Sequence, residues 1–223
     1  METMTVTTKA GASATCELTL PEGAGPHPVL IVFHEWWGVN DDIRDLCARF
    51  AAEGIAAAAI DLYDGKATTD ANEAFRMVEE MKTSVSMDKT SALVQRLASD
   101  PRFGKIGVTG FCLGGAMSIA AASTVDGISA AVPFYGVPRD EFAQLERAKV
   151  PILGHYAKED PFVKRERVLE VQERAKKNGV DFEAHFYDAK HAFMRKGDPS
   201  AYDEASATLA WSRTIPFLRR HLA

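Results

Sequence analysis

Lys105-Ile106-Gly107-Val108-Thr109-Gly110-Phe111-Cys112-Leu113-Gly114-Gly115-Ala116-Met117 is the stretch whose reading decides the fold. A short apolar run, then Gly-x-Cys-x-Gly, then small residues predict a strand, a tight turn and a helix lying on the same sheet. Such a turn needs glycine two residues before and two after its central residue. Strand and helix pass so close that a side chain would clash, and the central residue takes a strained backbone conformation. Gly110 and Gly114 fill those places, and Gly115, Ala116, Ala120, Ala121 and Ala122 keep the helix slim. A side chain at the apex is presented as a nucleophile. Here it is Cys112, and a helix N-terminus behind it favours a thiolate. The competing reading is a buried core cysteine beside a glycine turn; the order strand, turn, helix ranks it second.

Working outward, the same alternation continues. Residues 3–20 carry β-branched, alternating stretches followed by the turn Pro21–Pro26, which reads as an opening antiparallel hairpin. Val29–Phe33 is a continuous apolar run of the kind buried on both faces of a parallel sheet, ending in His34-Glu35-Trp36-Trp37-Gly38. A helix over 41–53, with Ile43, Leu46 and Phe50 on one stripe, stops at Gly54, and 55–60 is the next strand. Helices are expected at 70–82 and 87–99 as a small cap or side wall, strands at 105–109, 128–134, 151–156 and 180–187, and helices at 162–177 and 201–220, the last with a break at Pro216. Strands and helices in this rhythm predict an α/β fold with a mostly parallel central sheet, helices on both faces and antiparallel N-terminal strands. Ligand sites in such folds lie beyond the C-terminal strand ends.

The chain has 223 residues, 46% hydrophobic and 26% charged, with no long polar linker, so one domain spanning 1–223 is expected. A formal charge of -5 gives no electrostatic footprint for nucleic acid or an anionic membrane, and a small-molecule ligand is the expected partner. Cys16, Cys47 and Cys112 are scattered, with no zinc-ligand spacing, so neither a disulfide scaffold nor a structural metal is expected. The N-terminal residues lack a signal-like apolar core and no apolar run nears the roughly 18 residues of a membrane span. A cytoplasmic protein, monomeric or weakly self-associating, is expected.

Cys112, Asp160 and His191 follow in the chain order nucleophile, acid, histidine, which is that of an α/β-hydrolase. A thiol near its free pKa is only partly ionised at neutral pH. A base within hydrogen-bond reach, oriented by a carboxylate, makes it useful. His191 is that base and Asp160 its orienter, with Glu159 the rival acid. His27 falls in a polar turn, His221 at the last helix end, His155 and His185 inside strands, and His34 at an oxyanion-loop position. The tetrahedral intermediate needs two N–H donors, assigned to Leu113 and Trp36. Glu35, beside two tryptophans, either interacts with the thiol or points to solvent.

Taken together, these residues resemble the dienelactone hydrolase family. The motifs are Glu35-x-x-Gly38, Asp61-Leu62-Tyr63, Gly110-x-Cys112-Leu113-Gly114-Gly115, Tyr135-Gly136, Asp160-x-x-Val163 and His191-x-Phe193-x-Arg195. The resemblance implies an α/β-hydrolase fold and a Cys-Asp-His triad that opens dienelactones to maleylacetate in the breakdown of aromatics, with no cofactor. It also implies that Glu35 pairs with the resting thiol and that Arg195 holds the substrate carboxylate, a role that suits a guanidinium fork. Trp36, Phe75 and Tyr135 would line the pocket. The chain departs from the family pattern at Ala71 and Val78, where substrate-contacting arginine and tryptophan are expected, and Arg76 faces another side of its helix. A broad small-ester hydrolase or thioesterase with the same triad is the alternative; a thiol redox protein and a non-catalytic binding module rank lower.

Overall fold

The computed structural model describes residues 2–223; Met1 of the expected 1–223 domain lies outside the described residues. Strands β1 (Glu2–Thr7), β2 (Ser13–Thr19), β3 (His27–Phe33), β4 (Ala56–Ile60), β5 (Phe103–Phe111), β6 (Ile128–Phe134), β7 (Ile152–Glu159) and β8 (Phe182–Lys190) join in one sheet. Their order is β1-β2-β4-β3-β5-β6-β7-β8. β1 with β2 and β2 with β4 are antiparallel; every other pairing is parallel.

Alternating side chains split the core into two layers. Val29, Ile31 and Phe33 of β3 face one apolar cluster with residues of α2 (Ala71–Glu80), α3 (Thr83–Ala98), α4 (Leu113–Thr124) and α5 (Arg165–Lys177). Leu30 and Val32 face the other, with α1 (Asp41–Ala52) and α6 (Glu204–Leu222). A strand buried on both sides has no polar face to spare, which is why these strands read as unbroken apolar runs. α1 is started by Asn40, whose side chain accepts from Ile43 N at 3.2 Å, and Gly54 ends its turn at φ 81.

Three expectations are corrected. α3 begins at Thr83 rather than near 87, because Ser86 and Thr90 return their hydroxyls to the carbonyls of Lys82 and Ser86 and so extend the helix with satisfied polar residues. α5 begins at Arg165 rather than 162, because the Asp160 carboxylate holds the N–H groups of Phe162 and Val163 in a turn. α6 runs through Pro216 without a break. The carbonyl that Pro216 leaves without a donor belongs to exposed Ser212, while Thr214, Ile215 and Leu218 on the sheet side bind the helix to the core.

Candidate active site

β5 runs into α4 through Cys112, whose backbone sits at φ 54, ψ -112, a region that L-residues rarely adopt. Close approach forces the two glycines. A Cβ at Gly110 would stand 2.2 Å from the Gly114 carbonyl oxygen, and one at Gly114 would stand 2.2 Å from the oxygen of Phe33. Backbone hydrogen bonds lock the turn from β6: Cys112 N donates to Phe134 O at 3.1 Å, and Tyr135 N donates in turn to His155 O at 2.7 Å. Cys112 is half-buried, while Cys16 and Cys47 are free thiols in the core. Burial pushes those two up to about 11 and about 12, so neither is ionised near neutrality.

His191 follows β8 and Asp160 follows β7, so neighbouring strands deliver them to the same end of the sheet. His191 Nδ1 donates to Asp160 Oδ2 at 2.8 Å. The other carboxylate oxygen accepts from Phe162 N and Val163 N, both at 2.9 Å, which fixes the carboxylate plane. Asp160 is buried and its rival Glu159 is exposed. Burial, the strongest influence on His191, pulls its pKa down; the Asp160 hydrogen bond and the adjacent Cys112 sulfur outweigh it and raise the imidazole to about 10. Nε2 is buried with no hydrogen-bond partner among the described residues, and catalytic hydrogen bonds often tighten only once substrate is bound.

Glu35 does not pair with the thiol as the resemblance implied. Its carboxyl accepts from the Tyr135 hydroxyl at 3.3 Å and lies 3.6 Å from Arg195 Nη1. Burial pushes Glu35 up, opposed by Arg195, then His191 and Tyr135. Tyr135 is buried, with its hydroxyl turned to Glu35 and its ring 5.1 Å from that of His191. Arg195 is held by a second carboxylate, donating from Nη2 to Asp198 at 2.6 Å, and its guanidinium lies over Trp37. Leu113 is the first residue of α4, where its N–H has no intrahelical acceptor, and Trp36 lies half-buried in the loop after β3. Phe75 is 56% exposed on α2.

His155 and His185 are occupied elsewhere. His155 is buried between Tyr187 at 2.7 Å and Thr214 at 2.9 Å, and His185 pairs with Glu183. Sequence reasoning missed Asp198 and Phe162. The first was legible as an Arg-x-x-Asp spacing; the second is 74% exposed with its ring edge-to-face on His191 at 4.9 Å, and nothing in the sequence marks it. No group of three or more His, Cys, Asp or Glu among the described residues is arranged to hold a metal ion.

A doubly covered sheet carrying a thiol on a strained strand-to-helix turn, with a carboxylate-bound histidine on the next strand ends, is an α/β-hydrolase. The model of the dienelactone hydrolase family matches residues 15–222, and the chain belongs to that family. It is a hydrolase of esters or lactones. It is 35% identical to Protein usf of Aquifex pyrophilus, over 96% of each chain. To the carboxymethylenebutenolidase of Pseudomonas sp. (strain P51) it is 31% identical, covering 98% of this chain and 95% of that one. A crystal structure from Klebsiella pneumoniae subsp. pneumoniae, provisionally named a dienelactone hydrolase, superposes with a TM-score of 0.86 at 25% identity, over 99% of this chain and 100% of that one. No described helix is long and apolar enough to cross a membrane.

Proposed function

We propose that the protein opens a small dienelactone-type lactone by acyl transfer through Cys112, His191 and Asp160. The carrying observation is the 2.8 Å bond from His191 Nδ1 to Asp160, which directs the other ring nitrogen away from the acid. The Cys112 thiolate attacks the carbonyl carbon, and the carbonyl π pair moves to oxygen, where the N–H groups of Leu113 and Trp36 stabilise it. On collapse the C–O ring bond breaks, and the leaving oxygen takes the proton from the His191 imidazolium while remaining tethered to the acyl group. Water then attacks the thioester, giving its proton to His191 and expelling the thiolate. No cofactor enters these steps.

The carboxymethylenebutenolidase name of the Pseudomonas relative supports a lactone substrate; the role in aromatic breakdown rests on the resemblance in sequence alone. A second reading, a broader small-ester hydrolase or thioesterase, is favoured by one observation: Arg195 is already neutralised by Glu35 and Asp198, and Ala71 and Val78 supply no replacement cation. A reducing cytoplasm suits the three free thiols. Rapid mixing with an activated ester tests the mechanism. A stoichiometric burst and an acyl mass on Cys112, both lost in Cys112→Ala and His191→Ala, are expected; turnover that survives Cys112→Ala would end it. Dienelactone isomers compared with neutral aryl esters separate the two substrate readings.

A further inference from the structure

One buried side chain at the same end of the sheet has both ring nitrogens committed, and the steps above do not use it. His34 is 0% exposed; its Nδ1 lies 2.5 Å from Glu35 O and its Nε2 lies 3.2 Å from Leu62 N. A backbone N–H only donates, so Nε2 is the acceptor and Nδ1 carries the hydrogen given to the Glu35 carbonyl. The tautomer is therefore set by β4, from which Leu62 follows, and read out on the loop after β3. Burial lowers the pKa of His34, in keeping with a neutral ring.

The carbonyl of Glu35 and the N–H of Trp36 belong to one trans peptide plane, where they point in opposite directions. That carbonyl accepts from Gly38 N at 3.3 Å and, more closely, from the His34 ring, and these bonds together set the direction of the N–H on the far side. The clamp does not drift: the Tyr63 ring packs on His34 at 4.7 Å. The start of α4 lies against the same backbone, since a Cβ on Gly114 would meet His34 O at 2.7 Å. We infer that His34 is a positioning residue, whose neutral Nδ1–H tautomer turns the 35–36 peptide so that Trp36 N–H converges with Leu113 N–H on the developing oxyanion. The inference rests on the acyl-transfer reading above.

The test compares His34→Gln, which keeps one donor and one acceptor, with His34→Leu, which keeps neither. For an activated ester, Leu lowers kcat about 100-fold with KM within about twofold, the scale of losing one oxyanion donor, and Gln recovers to within about tenfold of wild type. Alkylation of Cys112 by iodoacetamide builds no oxyanion, so its rate stays near wild type in both. If Leu at 34 does not fold, His34→Asn, polar but too short to bridge both partners, takes its place with the same expected loss. Equal kcat in the Gln and apolar or short variants, or alkylation falling in step with turnover, overturns the inference. A wild type without an acyl burst overturns the mechanism itself, whatever position 34 does.

Discussion

Asp160→Asn isolates what the carboxylate does, because the backbone dictates how the amide must sit. Oδ1 accepts from two N–H groups at 2.9 Å, so the asparagine oxygen stays there and its NH2 faces His191 Nδ1. Two donors cannot face each other, and the imidazole flips to the tautomer with hydrogen on Nε2, the nitrogen that takes the thiol proton in the proposed mechanism. Raising an imidazole from 6.5 to about 10 corresponds to about 5 kcal/mol of preference for the imidazolium, net of a burial effect that opposes it. Losing the carboxylate's share and the tautomer together costs kcat about 10,000-fold, or about 5.5 kcal/mol. The same shift sets the pH behaviour. With a raised folded pKa, the stabilisation from His191 is complete below pH 6.5 and fades as pH rises toward about 10, and the imidazolium needed to protonate the leaving group is lost over that upper limb. Initial rates on a chromogenic ester across pH 5–11, with thermal melts at each pH, read both effects. A variant within tenfold of wild type, or one whose alkaline limb stays where the wild type has it, refutes the assignment of Asp160.

Glu35→Gln removes a buried carboxyl whose folded pKa is raised chiefly by burial. Its contribution is present below the unfolded pKa and lost as pH rises through the folded one, so the variant gains Tm relative to wild type at pH 8 but not at pH 4. A difference that ignores pH would show that Glu35 is paired well enough to offset its burial. Iodoacetamide at pH 7.5 labels one thiol per folded chain, Cys112, since Cys16 and Cys47 are buried and held at about 11 and about 12; a second label appearing at the same rate contradicts this. Phe162→Ala removes a 74% exposed ring resting on His191, so Tm moves by less than about 2 °C while KM for aryl esters rises several-fold more than for methyl esters. Equal changes for both ester classes would remove Phe162 from leaving-group contact.

The layered fold was legible because β3 carries the unbroken apolar run Val29–Phe33 and because glycine at 110 and 114 lets strand and helix meet in a tight turn. The pairing of Asp160 with His191 was legible from chain order and from their positions just past apparent strands. What stayed hidden was which partner each charged group takes. Glu35 sits 100 residues from Tyr135 and 160 from Arg195 along the chain, and no local pattern records that β3, β6 and the loop after β8 bring them together. The start of α3 and the continuity of α6 were missed for a related reason. Ser86, Thr90 and Pro216 are poor helix formers by themselves, and packing against the sheet overrides that preference.

Cys112, Tyr135 and Ala192 all hold positive φ, at 54°, 37° and 65°, and all three lie within or beside the proposed triad. Each such residue costs about 1–3 kcal/mol, a large part of the roughly 5–15 kcal/mol that keeps a domain folded. Heat-selected libraries blind to turnover should therefore drift toward glycine or asparagine at these three positions, trading hydrolysis for hardiness. The chain's most fragile backbone and its most useful backbone are the same few peptide units.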